Sequence, residues 1–268
     1  MLSIWVVLHC AAPLFAQFDF PAMGGRSAAM GGVSVALDDP ESAMRNVAGL
    51  AQSKNRAIAL AFRQNYSISG LSYGSAGVVF PVSFGTFSSS YIHYGDADYN
   101  EQMLTLSYAM PLGNSLLAGV SFHYLYSATS DAYYFPQRLY TFTVAIRYVP
   151  SEDIVVGFRA FNPIAVMLNS SDDDYSPSCF NLGLSYKMTT DFMAVAEVEK
   201  MLFNRPTLRF GLEYSFWDFC RARVGISTEP TIFSFGFGIE RPRFAVDVAA
   251  QIHGVLGLTP QLSTHYLF

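Results

Sequence analysis

Two serine and histidine pairs have the residue types of a hydrolytic centre. Ser121 lies two positions before His123, and Ser263 lies two positions before His265. Nucleophilic hydrolysis requires a serine beside a histidine that a third polar group orients. Residues two apart on a strand share a face, but neither pair has a recognisable third partner in the sequence. We therefore predict that the protein is not an enzyme and has no catalytic residues.

The histidines, cysteines and glycines do not have the spacing of a metal or cofactor site. Gly31 and Gly32 precede no strand-to-helix unit, so they do not form a phosphate-binding loop. Cys179 and Cys220 fall near opposite ends of their predicted strands, which predicts no disulfide. A formal net charge of -5 without a basic stripe argues against nucleic acid as a partner. The histidines are scattered, at His9, His93, His123, His253 and His265. We therefore expect no metal and no cofactor.

From residue 56 onward, apolar and polar residues alternate in stretches that end at turn signals. Phe244, Val246 and Val248, for example, share a face opposite Ala245 and Asp247. This period of two predicts β-strands, although the stretch GTFSSSYIHYG does not indicate which of its faces is apolar. The sequence predicts about fourteen strands, near residues 56–64, 73–82, 84–94, 101–110, 114–127, 138–149, 153–161, 179–188, 191–200, 207–216, 219–227, 231–240, 243–252 and 259–268.

The polar faces of these strands carry charges of both signs, while the apolar faces carry none. Opposite charges on adjacent strands can pair across a lumen, whereas an Arg or Lys facing acyl chains at mid-bilayer costs roughly 2–4 kcal/mol. This favours an all-β, antiparallel transmembrane β-barrel. A soluble β-sandwich or lipocalin-like binding protein is the alternative. The predicted lumen charge cluster is Arg147, Arg159, Lys187, Glu197, Glu199, Arg209, Glu213, Arg221, Arg223 and Asp247.

Every second connection between the predicted strands is tight, and the intervening ones are often longer. Bacterial outer-membrane barrels have short periplasmic turns and longer outer loops. An even number of strands places both chain termini on the same side of the barrel. Because the short turns lie on that side, we expect it to be the periplasmic side. The longest outer loop contains Asp172, Asp173 and Asp174. These carboxylates would suit a cation, but a solvated acidic loop is the favoured interpretation.

The first 16 residues, MLSIWVVLHCAAPLFA, are apolar. They are typical of a secretory signal peptide cleaved before Gln17, although they lack an early Lys or Arg. A buried first strand and a lipoprotein anchor at Cys10 are the alternatives. No later run reaches the roughly 18 apolar residues that a membrane-spanning helix needs, so a helical membrane protein is excluded.

Residues 17–55 interrupt the alternation. They are rich in Gly, Ala and Met, and they predict short helical turns with a helix start at the acidic residues beside Pro40. The stretch AMGGRSAAMGGVSVALDDPESAMRNVAGLA resembles the amino-terminal hatch signature of the FadL-type outer-membrane transport proteins and their PorV/PorQ-like relatives in the Bacteroidetes. Val47 stands where that family usually has proline. The matching positions are Ala29, Met30, Gly31, Gly32, Asn46, Ala48, Gly49 and Leu50.

The resemblance implies a fourteen-stranded barrel whose lumen holds this segment as a plug. Small residues suit a backbone that lies close against a barrel wall; a helical hairpin outside the barrel is the alternative. The implied organisation is a signal peptide at 1–16, a hatch at 17–55 and a transmembrane β-barrel at 56–268. The implied location is the outer membrane of a Gram-negative bacterium, with outer-membrane lipid around the barrel.

The last residues alternate in the manner of a final strand. Tyr266 and Phe268 share one face, which in an outer-membrane barrel is the lipid face. Together with Gln261 and Ser263 they resemble the recognition signal read by the barrel-assembly machinery, with Ser263 in place of the more usual glycine. The resemblance implies that machinery as a partner.

The family resemblance implies two functions. Transport or binding of a small hydrophobic molecule predicts an apolar pocket beside the hatch. A non-transporting accessory role in protein secretion, of the type IX kind, or in surface assembly predicts no pocket, a docking surface at the outer loops and secretion-system proteins as partners. The short loops favour the accessory role and the family favours transport. We predict transport and keep the accessory role as the alternative.

Overall fold

Fourteen antiparallel strands form a closed barrel in this computed structural model, in which each strand pairs with its chain neighbours and the first pairs with the last. Closure of the sheet contradicts the sandwich alternative, because a sandwich has two open sheets, and fourteen strands exceed the eight of a lipocalin. The predictions for residues 1–16 and for Asp172–Asp174 lie outside the described residues, which are 18–131, 133, 135–164, 177–202 and 204–268.

The strands agree with the predicted stretches to within about two residues at every end. The alternating pattern fixes their positions because a strand ends where one face stops being apolar and a turn signal follows. The strands are β1 (Ala57–Gln64), β2 (Ser72–Val82), β3 (Gly85–Gly95), β4 (Tyr99–Pro111), β5 (Leu116–Thr129), β6 (Gln137–Ser151), β7 (Ile154–Phe161), β8 (Cys179–Lys187), β9 (Phe192–Met201), β10 (Thr207–Trp217), β11 (Cys220–Ser227), β12 (Ile232–Glu240), β13 (Phe244–His253) and β14 (Gly257–Leu267).

Helical structure within the described part of the chain is short. Two α-helical turns precede the barrel, α1 (Gly25–Ala29) and α2 (Pro40–Ala43), and a 3-10 helix follows at Val47–Gln52. A second 3-10 turn, Asn65–Ser67, lies between β1 and β2. None of the described helices has the length and apolarity needed to cross a membrane.

The outer face of the barrel is apolar and the inner face is polar or small. Along β13, Phe244, Val248 and Ile252 are exposed, while Ala245 and Asp247 are buried. This is the alternation that the sequence predicted for this strand. It gives the outer wall a continuous band of exposed Phe, Leu, Val, Ile and Tyr side chains.

The structure shows which side chains of β3 point outward, a question that the sequence left open. Phe87 and Tyr91 point outward, at 45% and 40% exposure, and Ile92 points inward and is 5% exposed. Ile92 is tolerated inside because it packs in an apolar cluster with Phe18 and Phe20 of the N-terminal segment. A partner distant in sequence therefore sets the orientation of this strand.

The two ends of the barrel differ in their connections. One end, which we call the terminal end, holds the start of β1, the end of β14 and six short turns such as Ser83–Phe84 between β2 and β3. The opposite end, the loop end, holds the longer connections, including residues 65–71 and 162–178. The short turns, the start of β1 and the end of β14 thus lie at one end of the barrel, as the sequence predicted.

Residues 18–52, which we call the N-terminal segment, pack against inward-facing residues of the strands. Glycines on the inner wall make room for this contact. A Cβ atom at Gly119 would lie 2.7 Å from Val47 Cγ1, and one at Gly157 would overlap the carbonyl of Val35. Only glycine permits so close an approach of two backbones. Other inner-wall glycines that contact the segment are Gly77, Gly183, Gly211, Gly225 and Gly236.

Candidate functional site

Arg26 of the N-terminal segment joins an ion network on the inner wall. Its guanidinium group binds both carboxylate oxygens of Glu213 on β10, at 2.9 and 2.8 Å. Glu213 also accepts a hydrogen bond from Arg223 Nε on β11 at 2.5 Å, and Arg223 pairs in turn with Asp247 on β13. Arg26 additionally binds Asp38 of its own segment at 2.8 Å. Arg26 thus binds the wall at Glu213 and, through Glu213, joins an ion network that extends over β10, β11 and β13.

Arg45 makes a second such connection. Its Nη2 lies 2.6 Å from Glu199 Oε2 on β9, while its Nη1 donates to the Phe20 carbonyl at 2.6 Å. Arg209 on β10 binds the two oxygens of Glu199 at 2.8 and 2.6 Å. Asn181 Nδ2 on β8 donates a further hydrogen bond to Glu199 at 2.8 Å. Two guanidinium groups and an amide therefore compensate one buried carboxylate, as a buried charge requires.

Backbone groups of the segment also bind the charged wall. Glu197 Oε2 accepts hydrogen bonds from the amides of Ser34, at 2.6 Å, and Val35, at 3.0 Å. Arg147 Nη1 on β6 donates to the Leu37 carbonyl at 2.5 Å. The chain between α1 and α2 has few internal hydrogen bonds, so these wall contacts satisfy its buried polar backbone.

The structure brings together most of the predicted lumen cluster, but not all of it. Lys187 is exposed at the end of β8, and Arg221 lies 3.6 Å from the exposed Glu240 at the terminal end. Both lie outside the buried network because their strands end there. Arg159 is 7% exposed and donates to Asn181 Oδ1 at 3.0 Å, but forms no ion pair within the described residues. Arg26 and Arg45 also belong to this buried network, although the sequence pattern did not indicate it.

Ionic partners keep Arg26 charged inside the barrel. Burial by itself lowers the pKa of Arg26, but Glu213, Asp38 and Asp39 outweigh burial and raise the pKa well above its ordinary value. Glu41 shows the opposite balance. Burial raises the pKa of Glu41, and the hydrogen bond with His265 lowers it only in part. The segment therefore carries a firmly ionised cation near one carboxyl group that burial disfavours as an anion.

The residues of the predicted hatch motif lie in two regions where the N-terminal segment meets the wall. Met30 is fully buried at the end of α1, and Gly31 and Gly32 follow with φ values of 75° and 85°. Asn46 connects distant parts of the segment, since its Nδ2 donates to the Val35 carbonyl at 2.6 Å and its Oδ1 accepts from the Ala48 amide at 3.2 Å. Of the remaining motif residues, Ala29, Ala48 and Leu50 are buried and Gly49 is partly buried.

The two serine and histidine pairs are not connected as a hydrolytic centre would be. His123 binds the hydroxyls of Thr105, at 2.9 Å, and Thr143, at 2.8 Å. His265 Nδ1 lies 3.1 Å from Glu41, a partner that the sequence did not reveal, while Ser263 Oγ accepts the Gly25 amide at 2.8 Å. Each histidine thus has a structural role in joining strands or segments. Within the described residues, no group of His, Cys, Asp and Glu could hold a metal ion.

The predicted barrel-assembly residues divide between the two faces of β14. Gln261 and Ser263 are buried and face inward, whereas Tyr266 and Phe268 are 43% and 65% exposed and face outward. The two rings meet edge to face with centroids 4.9 Å apart. The cysteines Cys179 and Cys220 are both free and buried.

A small cavity of about 40 Å³ lies between the N-terminal segment and strands β3 to β9. We call it the inner cavity. Its lining is mostly apolar, with Arg159 and His123 among the polar exceptions. Arg159 Nε has no hydrogen-bond partner within the described residues, so a buried donor is left available there. The apolar lining includes Phe18, Phe20, Met23, Met44, Ile92, Met103, Phe161 and Met201.

A larger polar space of about 800 Å³ lies inside the barrel towards the loop end. We call it the vestibule. Charged groups of both signs line it, including Arg63, Arg209 and Glu199. Asp19, Pro21 and Met201 line both spaces. The inner cavity therefore adjoins the vestibule.

Comparison with solved structures finds the same barrel fold in toluene transporters and a FadL homologue. The toluene transporter TbuX of Ralstonia pickettii superposes with a TM-score of 0.69 at 12% identity, over 94% of this chain and 100% of that chain. The toluene transporter TodX of Pseudomonas putida gives 0.67 at 10% identity, over 93% and 98%. A FadL homologue of Pseudomonas aeruginosa gives 0.66 at 13% identity, over 92% and 98%. The chain thus has the fold of these proteins.

Sequence comparison does not extend this likeness. No protein-family model matches the chain. No curated protein matches it either.

Proposed function

We propose that this chain is an outer-membrane β-barrel of the FadL type, plugged by its N-terminal segment, that binds a small hydrophobic molecule and passes it across the membrane. The observation that carries the proposal is the inner cavity, a mostly apolar space between that segment and the wall, whose lining also includes the charged Asp19, Glu41 and Arg45. The shared fold with toluene transporters supports it. An accessory barrel in secretion would not need such a cavity.

The outer wall supports insertion into a membrane. Its outward positions are large and apolar, for example Leu106, Phe122 and Val248, which are each more than half exposed. Soluble monomers rarely expose continuous apolar patches above a few hundred Å². We therefore propose that this wall faces acyl chains, that residues 1–16 direct export, and that residues 17–55 and 56–268 act as hatch and transmembrane barrel. The start of β1 and the end of β14 would face the periplasm.

The lining of the inner cavity suits a cargo with an apolar body. At about 40 Å³ the cavity has room for only part of a ligand, so entry requires side-chain movement. Four methionines, Met23, Met44, Met103 and Met201, line it, and methionine adapts its shape more readily than other apolar residues. Arg159 adds one buried donor group that favours a hydrogen-bond acceptor on the cargo.

The vestibule supplies the path to the inner cavity from the loop end. Cargo entering there would meet Asp19, Pro21 and Met201 at the boundary between the two spaces. On the side of the inner cavity that faces the terminal end, α1, α2 and the 3-10 helix would close the lumen through contacts such as Val47 with Gly119. Release at the periplasmic side therefore requires the N-terminal segment to shift or to open locally.

A paired substitution on β3 tests this proposal. Ile92 faces the inner cavity, and the neighbouring Tyr91 faces outward. We expect Ile92→Trp to fill the cavity and lower binding of 1-N-phenylnaphthylamine at least tenfold, measured by fluorescence of the detergent-folded chain. Tyr91→Trp is the matched control, because it places the same ring on the opposite face, and we expect it to bind the probe as the wild type does.

The outcomes of this experiment separate the candidate functions. Equal probe binding by wild type, Ile92→Trp and Tyr91→Trp would contradict binding in the inner cavity. Absence of probe binding by folded wild type, together with a co-purifying secretion protein, would favour the accessory role. Heat-dependent electrophoretic mobility verifies that each variant is folded.

Two finer assignments, to the PorV/PorQ-like branch and to recognition by the barrel-assembly machinery, rest on sequence motifs. The motif around Met30 and Asn46 supports the PorV/PorQ-like branch, and we propose that placement. The outward Tyr266 and Phe268 support recognition by the barrel-assembly machinery. Deleting Phe268 tests the second assignment, since we expect it to reduce the amount of folded barrel in the outer membrane.

A further inference from the structure

The terminal end of the barrel carries basic residues that the proposed function does not use. Arg241 and Arg243 lie in the turn between β12 and β13, and Lys54 and Arg56 immediately precede β1. All four residues are exposed. We call them the basic rim.

Backbone hydrogen bonds place two of these residues side by side where the barrel closes. The Leu267 amide donates to the Arg243 carbonyl at 2.7 Å, and the Phe268 amide donates to the Arg56 carbonyl at 2.9 Å. Arg243 and Arg56 therefore flank β14 at the same height. Because neighbouring strands are about 4.8 Å apart, their backbones are separated by roughly 10 Å.

The basic rim is not neutralised by the rest of the protein. None of its four residues forms an ion pair with a described carboxylate. Glu240, which precedes Arg241, lies 3.6 Å from Arg221 instead. The chain has a formal net charge of -5. The basic rim, with four cations that have no ionic partner among the described carboxylates, is therefore a locally positive region on a chain that is negative as a whole. The turn between β6 and β7, elsewhere on this end, carries Glu152 and Asp153.

Aromatic rings lie beside the basic rim. The Arg241 guanidinium carbon is 4.2 Å from the centre of the Phe219 ring, and Trp217 stacks on Phe219 with centroids 5.9 Å apart. On β14, Tyr266 and Phe268 are exposed at the same end. Aromatic girdles mark the membrane–water interfaces of barrel proteins. The basic rim therefore lies at the level of lipid head groups if the barrel is inserted.

We propose that the basic rim binds the phosphate groups of anionic phospholipids in the periplasmic leaflet. Guanidinium groups bind phosphate oxygens through paired N–H donors, and clusters of basic residues at a membrane surface attract anionic lipids. The adjacent Phe219, Trp217 and Phe268 would contact the glycerol and upper acyl chains of the same lipids. This inference rests on the membrane insertion that forms part of the proposed function.

Lipid titration of the full chain tests the basic rim. The detergent-folded protein is titrated with phosphatidylglycerol or with phosphatidylcholine of the same acyl chains, and bound lipid is counted by native mass spectrometry. We expect the wild type to prefer phosphatidylglycerol. The double variant Arg241→Gln, Arg243→Gln should bind it about 25-fold more weakly, since each basic residue near an anionic surface contributes about a factor of five.

A matched double variant controls for loss of charge. Arg138 and Arg205 are exposed basic residues near the loop end, and we expect Arg138→Gln, Arg205→Gln to leave phosphatidylglycerol binding unchanged. Equal binding of both lipids by the wild type overturns the proposal, and so does an equal loss in the two double variants. Insertion into phosphatidylcholine vesicles is measured separately. Failure to insert contradicts the proposed function, whereas insertion without lipid preference contradicts only this inference.

Discussion

Arg45 Nη2 lies 2.6 Å from Glu199 Oε2, although 154 residues separate the two in sequence. This contact joins the N-terminal segment to the inner wall at β9. Glu199 is 4% exposed and already binds Arg209, so the wall presents a carboxylate with one cation in place and room for a second. The segment and the wall complete each other's charge balance, which holds the segment against the inner wall.

Removing the Arg45 cation should loosen the segment. We expect Arg45→Gln to lower the free energy of local opening of residues 18–52 by roughly 2–3 kcal/mol, less than the 3–5 kcal/mol typical of a broken buried pair, because Arg209 and Asn181 still compensate Glu199. Native-state hydrogen exchange measures this opening. Arg205→Gln is the control, since Arg205 is 84% exposed and 3.7 Å from Glu229. Unchanged protection in Arg45→Gln would show that the ion pair does not hold the segment.

A side chain at Gly157 should displace the segment from the wall. Because a Cβ there overlaps the Val35 carbonyl, we expect Gly157→Leu to cost at least the 1–3 kcal/mol of ordinary overpacking. The readouts are faster hydrogen exchange near Val35 and higher single-channel conductance in a planar bilayer.

Gly74 provides the matched control for this overpacking. A Cβ at Gly74 meets nothing within 4 Å, so Gly74→Leu should leave exchange and conductance as in the wild type. If both leucine variants behave alike, contact between Gly157 and the segment is not what closes the lumen.

The pH dependence of the segment should reflect Glu41. Burial raises the pKa of Glu41, and the His265 hydrogen bond reverses this only partly. A carboxyl group with a raised folded pKa stabilises the fold below its unfolded pKa and loses that contribution as pH rises through the folded pKa. We expect protection of α2 to fall as pH rises from about 4.5, after correction for intrinsic exchange.

Replacing Glu41 isolates this contribution. Glu41→Gln remains neutral at all pH values, so the fall in α2 protection above about pH 4.5 should be absent in this variant. Protection that increases with pH in the wild type, and no longer does so in Glu41→Gln, would mean that the His265 hydrogen bond outweighs burial.

Arg159 should discriminate between cargoes. Arg159→Met keeps a long side chain but removes the unpaired donor beside the inner cavity. We expect binding of a hydrophobic carboxylate probe to weaken about tenfold or more, in line with hydrogen bonds to charged groups worth about 1.5–3 kcal/mol. Binding of a neutral aromatic probe should change little. Fluorescence titration of both probes measures the difference, and an equal effect on the two would exclude Arg159 as a polar contact for cargo.

The sequence by itself determined the strands and their faces. Alternation of side chains has a period of two in any strand, so the exposed Phe244 and the buried Asp247 could be assigned from local pattern alone. Charged residues such as Glu213 and Arg223 were assigned to the lumen for the same reason. The strand β3 was the exception, because the apolar Ile92 faces inward, where it packs with Phe18 and Phe20, which lie more than 70 residues earlier.

Only the tertiary structure decided how the N-terminal segment meets the wall. The segment has no periodicity, so its contacts depend on shape and charge supplied by distant strands. Arg26 and Arg45 had no evident role in the sequence, since their carboxylate partners on the wall lie more than 150 residues away. The inner cavity likewise forms between two surfaces, the N-terminal segment and the wall, that meet only in the folded chain. Local pattern fixes a strand, but a site built from long-range contacts exists only in the folded chain.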